Sequence, residues 1–482
     1  MLDQEIVRLN KLKILKDNNI DIYPSNNIFI TDKIKNIKKN FILNKKIYLV
    51  GRIINIINIG KIFFIILNDF YHKIQIYIKK DNLKKKNLFL IKNNILDIGD
   101  IIYIYGFLFK TRTNVITINV LKIKLLCKCL KVLPFFKKDI KGIIHNKFSN
   151  VEKMYRYKYI DLIVNTFNKK IFYIKSNIFY YIRKFLKKKN FIEVETPILH
   201  HIYGGAEAKP FITYHLKNKE KLYLRIANEI YLKKILVGGF NKIYELSKNF
   251  RNESIDKIHN PEFTMLELYV TYKNYYWMMN FCKKFLLYIC KKIHNNYIIK
   301  YDKYILNFKK PFIIKSISEI IKDILKININ KLSLKKLIIL LDTLSIKVKK
   351  NFIYNKSNII LKIFENKCQK QCIQPTFIID YPKNISPLTK NINNNKNLVE
   401  RFELFICGYE IANSYTELNN PFEQLKRLKK KNNIIDYDFI NALKIGMPPT
   451  TGIGIGIDRL VMIFTNSLSI QNTIFFPQMK NF

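Results

Sequence analysis

The stretch FRNESIDKIHNPEFTMLELY, residues 250–269, restricts the fold more than any other. Its second half, EFTMLELY, has the period of a strand, so Phe263, Met265, Glu267 and Tyr269 share one face. NFRNE reads as another strand, with Arg251 and Glu253 on one side. SIDKIHNP is then the loop of a hairpin, with His259 near its end. Burying an unpaired carboxylate is expensive, so Glu267 requires a cation. A neighbouring Lys or Arg is the commoner solution. The positive end of a ligand is the other, and the residues alone leave both open.

Two further segments carry candidate chemistry. In PPTTGIGIGIDRLVMIF, residues 448–464, Gly452, Gly454 and Gly456 alternate. One face of that strand therefore has no side chains, and a flat group or a phosphate chain can approach it closely. Tight packing of the strand on its following helix, opened by Asp458 and Arg459, explains the same pattern. The segment is neither GxGxxG nor GxxxxGK[ST]. In RFELFICGYEIANSYTELNNPFEQLKRL, residues 401–428, Asn420-Pro421 reads as a helix start. Glu410 and Glu417 precede it near a chain turn. Such carboxylates suit Mg²⁺, which takes one or two acidic ligands plus phosphate oxygens. An ordinary solvated pair has the same signature.

The N-terminal part is β-prone. IYLVGRIINI, KIFFIILND, HKIQIYIK, DIIYIYGFLF and NVITINVLKI are five runs of strand length within residues 45–130. They predict a small five-stranded barrel of the nucleic-acid-binding kind, after a helical extension over 1–44. Alternation puts Lys73, Gln75 and Tyr77 on one face, with Phe63 or Phe64 nearby to stack on a base. A plain structural barrel fits equally. A linker follows over 131–165. Residues 166–482 form a larger domain, opened by a helix with Ile174, Ile178, Ile182 and Phe185 at helical spacing and closed by Asn190. FIEVETPIL reads as an alternating strand stopped near Pro197. Residues 275–360, rich in Lys, Ile and Asn, read as a helical insertion without chemical motif.

Composition adds bounds. A chain of 482 residues, 48% of them hydrophobic, has room for two or three domains and a sizeable core. The formal charge of +49 suits a polyanion such as nucleic acid. Lys, Ile and Asn are over-used nearly everywhere, however, which is also the mark of an AT-rich coding sequence. Seven scattered cysteines without a CxxC pair argue against a disulfide framework or zinc ribbon. No apolar run is long enough to span a membrane, and MLDQEIVRLNKLKILKDN lacks a secretory apolar core. Both point to the cytoplasm.

KKNFIEVETPIL, FRNE with its loop and EFTMLELY, and GIGIGIDRLVMIF, in this order, resemble the three signature motifs of class II aminoacyl-tRNA synthetases. GGAEAKPFIT, LYLRIANEIYLKKILVGGFNKIYELSKNFRNE and YEIANSYTELNNP are most similar to the lysyl-tRNA synthetase family. The resemblance covers nearly the whole chain and is weakest over 275–360. It implies an α+β fold: an N-terminal OB-type barrel and a class II catalytic domain built on an antiparallel sheet flanked by helices. It implies ATP, L-lysine and tRNA(Lys) as substrates, Mg²⁺ as cofactor, and a homodimer with Pro197 at its interface. Residue by residue, Arg251 would hold the α-phosphate and the attacking carboxylate, and Arg459 the γ-phosphate. Glu253, His259 and Phe263 would also bind ATP. Gly205, Glu229, Glu267, Tyr269 and Asn419 would bind lysine. Glu410 and Glu417 would hold the metal, and Phe64 and Gln75 would read the anticodon. Ser254 and Ile258 stand where the family commonly has glycine and arginine, an acidic anticodon partner is replaced near Val115, and SPLTK keeps part of the usual SPLAR. A lysine-adenylating relative that modifies a protein and a non-catalytic tRNA-binding descendant are the competing readings.

Overall fold

The computed structural model describes residues 2–69, 72–83, 85–135, 137–138, 144–145, 148–348, 352–430 and 435–479. The chain divides into two compact units, Met1–Lys169 and Lys170–Phe482. The expected linker over 131–165 falls partly outside the described residues. Its described helices, Val151–Arg156 and Lys158–Val164, belong to the first unit.

In the first unit, the five β-prone runs close into a barrel. Its strands are β1 (Lys46–Ile59), β2 (Ile62–Asn68), β3 (Lys73–Lys79), β4 (Ile101–Lys110) and β5 (Ile116–Cys127), in the order β1-β2-β3-β5-β4. Period-2 burial fills the interior with Ile47, Leu49, Ile65, Ile76, Ile104 and Ile118. In β3, Ile74, Ile76 and Ile78 point in, leaving Lys73, Gln75 and Tyr77 on the outer side. Phe63 is buried, so Phe64 is the outward aromatic, 5.5 Å from the Tyr77 ring. Helix α1 (Leu2–Asp17) is tied down by polar contacts: Arg8 donates to the Cys129 carbonyl at 2.6 Å, and Lys11 pairs with Asp97 at 2.8 Å.

The second unit is built on a nine-stranded sheet. Its strands are β6 (Ile192–Glu193), β7 (Lys242–Phe250), β8 (Glu262–Thr271), β9 (Ile313–Ser316), β10 (Thr376–Pro382), β11 (Asn395–Ile406), β12 (Tyr409–Thr416) and β13 (Thr450–Gly456), with Asn391–Ile392 beside β11. The order is β9-β10-β11-β12-β13-β8-β7-β6, antiparallel apart from the two outermost pairs. Strand β13, last in sequence, lies in the middle and pairs with both β12 and β8. Helices α2 (Asn168–Lys188), α4 (Tyr275–His294) and α8 (Ile457–Thr465) contribute Ile182, Phe285 and Leu460 to the core that also takes Leu266 and Leu404 from the sheet. Helix α3 (Glu229–Val237) makes a smaller cluster with Ile243 and Tyr269.

Three expectations are corrected. FIEVETPIL is a strand only at β6 and at Leu199–His200, since Pro197 lacks an N–H to donate. NFRNE leaves the sheet at Phe250, so Arg251 and Glu253 lie on the loop. Residues 275–360 are not a single helical insertion: α4 is the spine of the main core and β9 is a strand of the main sheet. Only from Ile317 onward do helices such as α5 (Ile317–Leu325), α6 (Leu334–Thr343) and α7 (Lys356–Ile363) gather a separate core, with residues 349–351 outside the description. No described helix is long and apolar enough to cross a membrane.

Candidate active site

One face of β8, β11, β12 and β13 floors a cleft of about 1320 Å³ in the second unit. Phe263, Met265, Glu267 and Tyr269 all line it, as strand alternation requires. So do Gly205, Glu229, Arg251, Glu253, His259, Glu410, Glu417 and Arg459. Asn419 does not; its side-chain amide donates to the Met447 carbonyl at 3.1 Å.

At one end the cleft is acidic and dry. Glu229, Glu267 and Glu417 are nearly fully buried there. Burial, with Glu229 next in effect, pushes the Glu267 carboxyl up to about 8. Among the described residues Glu267 has no ion pair; the Tyr269 hydroxyl donates to it at 3.3 Å. Its cross-strand neighbour Glu245 takes the structural cation instead, Arg225 at 2.7 Å, plus donors from Thr196 and Asn228. Tyr415 donates to Glu229 at 2.7 Å. Gly205 adopts φ +83, and a Cβ there would lie 3.2 Å from that of Ala227 and 3.3 Å from that of Glu229.

The glycine strand explains itself here. Tyr269 lies opposite Gly452, and Glu267 opposite Gly454. A Cβ on Gly452 would be 2.3 Å from the Tyr269 ring and 2.7 Å from Glu417 Oε1. The missing side chains thus make room for pocket side chains of the chain itself, and not only for a ligand.

At the other end cations and carboxylates alternate. The Arg251 guanidinium lies 5.1 Å from the centre of the Phe263 ring, and its Nε is buried without a partner. Arg459 donates to the Glu410 carbonyl at 2.8 Å and lies 3.2 Å from His259 Nε2. His259 Nδ1 is 2.8 Å from Asp256, which also accepts from two loop amides. Asp458 holds the site together from behind, accepting from Lys175 at 2.5 Å and from the Thr264 amide at 2.7 Å.

Glu410 and Glu417 do not converge. Glu410 is the second residue of β12 and Glu417 follows its last, seven residues on, which is about 23 Å of extended chain. Glu417 joins Glu229 and Glu267 and pairs with Lys233. Glu410 instead faces Glu403, whose carboxyl is raised to about 7, by burial first and by Glu410 next. Arg401 at 2.6 Å and the Tyr381 hydroxyl at 2.8 Å bind Glu403 as well. No described group of three or more His, Cys, Asp or Glu gathers as a metal cluster. Two facing carboxylates, one buried and reluctant to ionise, do fit Mg²⁺ completed by phosphate oxygens.

Glu403, Arg401, Tyr415 and Lys233 were missed from sequence. Arg401 and Glu403 share a strand face in RFELF, and Glu229 and Lys233 are four apart on a helix, so both signals were present.

The model for class II tRNA synthetases (D, K and N) matches residues 150–480, and that for the OB-fold nucleic acid binding domain matches 47–126. The lysine–tRNA ligase of Azobacteroides pseudotrichonymphae is 44% identical over 100% of this chain and 99% of its own. The chain belongs to the lysine–tRNA ligase family. Other lysine–tRNA ligases match as fully: that of Wigglesworthia glossinidia brevipalpis is 44% identical over 98% of each chain. That of Buchnera aphidicola from Cinara cedri is 45% identical over 99% of this chain and 97% of its own.

Proposed function

We propose that the protein is a lysine–tRNA ligase that activates lysine with ATP and charges tRNA(Lys). The observation that carries this is the dry end of the cleft, where Glu267 is buried without a cation of its own. A substrate ammonium supplies one, and a side chain without charge leaves buried carboxylates unpaired. Gly205 leaves space beside the substrate, and Glu229, Glu417 and Tyr269 surround its amino groups. Asn419 is not assigned to this pocket.

Arg251 holds the lysine carboxylate against the α-phosphate for in-line attack, releasing pyrophosphate and leaving lysyl-adenylate. Its planar fork binds both anions at once. Phe263 supplies a face for adenine and Glu253 accepts from the adenine amino group. Arg459 and His259 hold the phosphate tail. Glu403 and Glu410 would hold Mg²⁺, which neutralises charge on the phosphates. Positioning and charge compensation therefore do most of the work. The adenylate is then attacked by the 3′-hydroxyl of the terminal tRNA adenosine. On the barrel, Phe64 and Gln75 contact anticodon bases; Gln75 now donates to Thr117 at 3.2 Å, a bond it can exchange for a base.

A homodimer fits the exposed apolar side chains around the second segment of FIEVETPIL. Leu199, Ile212, Tyr214 and Leu216 are 46, 54, 62 and 87% exposed on one small sheet and its turn. Translation places such an enzyme in the cytoplasm. The barrel and the full-length match favour tRNA charging over modification of a protein or mere RNA binding. ATP–pyrophosphate exchange across all amino acids tests the reading: lysine alone supports exchange, and exchange with another amino acid but not lysine would overturn it.

A further inference from the structure

Lys233 has no place in the chemistry above, yet it is among the largest fully buried side chains of the protein. It lies on α3, one turn after Glu229. Its ammonium is 2.5 Å from Glu229 Oε1 and 2.5 Å from Glu417 Oε2. The rings of Tyr415 and Phe439 cover it at 5.6 and 5.9 Å. It does not line the cleft, whereas both carboxylates it binds do. In each carboxylate it pairs with one oxygen and leaves the second for other contacts. Glu417 Oε1 is buried with no hydrogen-bond partner and faces Tyr269 across Gly452. Glu229 Oε2 is the oxygen nearest to Gly205, 3.7 Å from where a Cβ would stand.

We propose that Lys233 is a positioning residue for amino-acid specificity: a resident ammonium behind the pocket wall that clamps one oxygen of Glu229 and one of Glu417, so that their other oxygens present to the substrate. This rests on reading the cleft as a lysine pocket. Physically, Lys233 solves a charge problem. Three glutamates, 229, 267 and 417, crowd a dry site, and without a fixed cation they would take up protons or splay apart. One resident ammonium against three carboxylates leaves the pocket two positive charges short, and a substrate whose side-chain ammonium adds to its α-ammonium makes good the deficit. An uncharged side chain does not.

The groups facing this cluster come from every wall. Glu229 is on α3, Glu417 follows β12, Glu267 and Tyr269 are on β8, and Tyr415 is on β12. Glu245 on β7 is held by Arg225, and Arg401 lies on β11. Lys233 is the only one of these cations bonded to Glu229 or Glu417 among the described residues. Removing it leaves two carboxylates side by side, which hold a proton to higher pH. Lysine binding needs them ionised, so its pH midpoint moves up.

The test is lysine-dependent exchange with the full-length protein and its Lys233→Met and Lys233→Gln variants, measured from pH 6 to 10 in roughly half-unit steps. In both variants the KM for lysine should rise by about tenfold or more while the KM for ATP stays within about twofold. The midpoint of the lysine KM against pH should rise by about one unit. An unchanged lysine KM would overturn the proposal. So would lysine and ATP KM rising together with a fixed midpoint, the pattern of mere structural damage. A wild-type protein without lysine-dependent exchange would instead sink the lysine-pocket reading itself.

Discussion

At the scale of single residues, Glu267 was the awkward feature of the sequence, and it stays awkward in the fold. Its carboxyl is raised to about 8, so at neutral pH it is mostly protonated in the free protein. Binding of an ammonium favours the ionised form, and the proton leaves to solvent. Lysine affinity should therefore improve as pH rises toward 8 and level off above it, measured as KM for lysine in the exchange reaction. Glu267→Gln cannot ionise; it should raise that KM by about 10–100-fold, flatten its pH dependence and leave the ATP KM nearly unchanged. The alternating glycines make a finer distinction. Gly452→Ala would drive a Cβ into the Tyr269 ring and Glu417, both fixed, and should impair lysine binding severely. Gly454→Ala crowds the terminal methyl of Met265, at 2.8 Å, which can rotate aside, and meets Glu267 Cγ at an ordinary 3.8 Å. Equal damage from the two would contradict this account of the pocket.

At the scale of elements, hairpin, glycine strand and barrel were legible because each has a period of two that burial enforces. EFTMLELY therefore yielded four cleft residues in one step. The closeness of Glu403 to Glu410 was not legible. Glu410 and Glu417 are close in sequence but lie along one extended stretch of chain, and proximity in the chain was mistaken for proximity in space. Glu403 reaches Glu410 because β11 and β12 are antiparallel neighbours, a pairing that no local pattern announces. Likewise α4 looked like part of an insertion because its role depends on what packs against it. In the loop between β7 and β8, which holds Ser254 and Ile258, Asp256 is the organising carboxylate. That carboxyl, drawn up by burial but more strongly down by the His259 hydrogen bond and the amides of Ile258 and His259, fixes the imidazole against Arg459. Asp256→Ala should release His259 and raise the ATP KM by a few-fold, about 0.5–1 kcal/mol for an exposed contact, without affecting the lysine KM. A shift in lysine KM instead would place the loop in a different role.

At the scale of the whole molecule, two units with separate cores divide the labour. Gln75→Ala should weaken charging of tRNA(Lys) several-fold and spare exchange, since no tRNA is needed for the adenylate; loss of both would contradict the division. The place of β13 has a consequence in time. Every strand of the barrel lies within the first 127 residues, so a chain leaving the ribosome can complete that unit early. The catalytic sheet cannot follow suit. Its central position is reserved for residues 450–456, and until they emerge β8 and β12 each present an unpaired edge. From the emergence of β8 until residues 450–456 follow, a protein that supplies lysine to translation is a folded barrel trailing an open sheet.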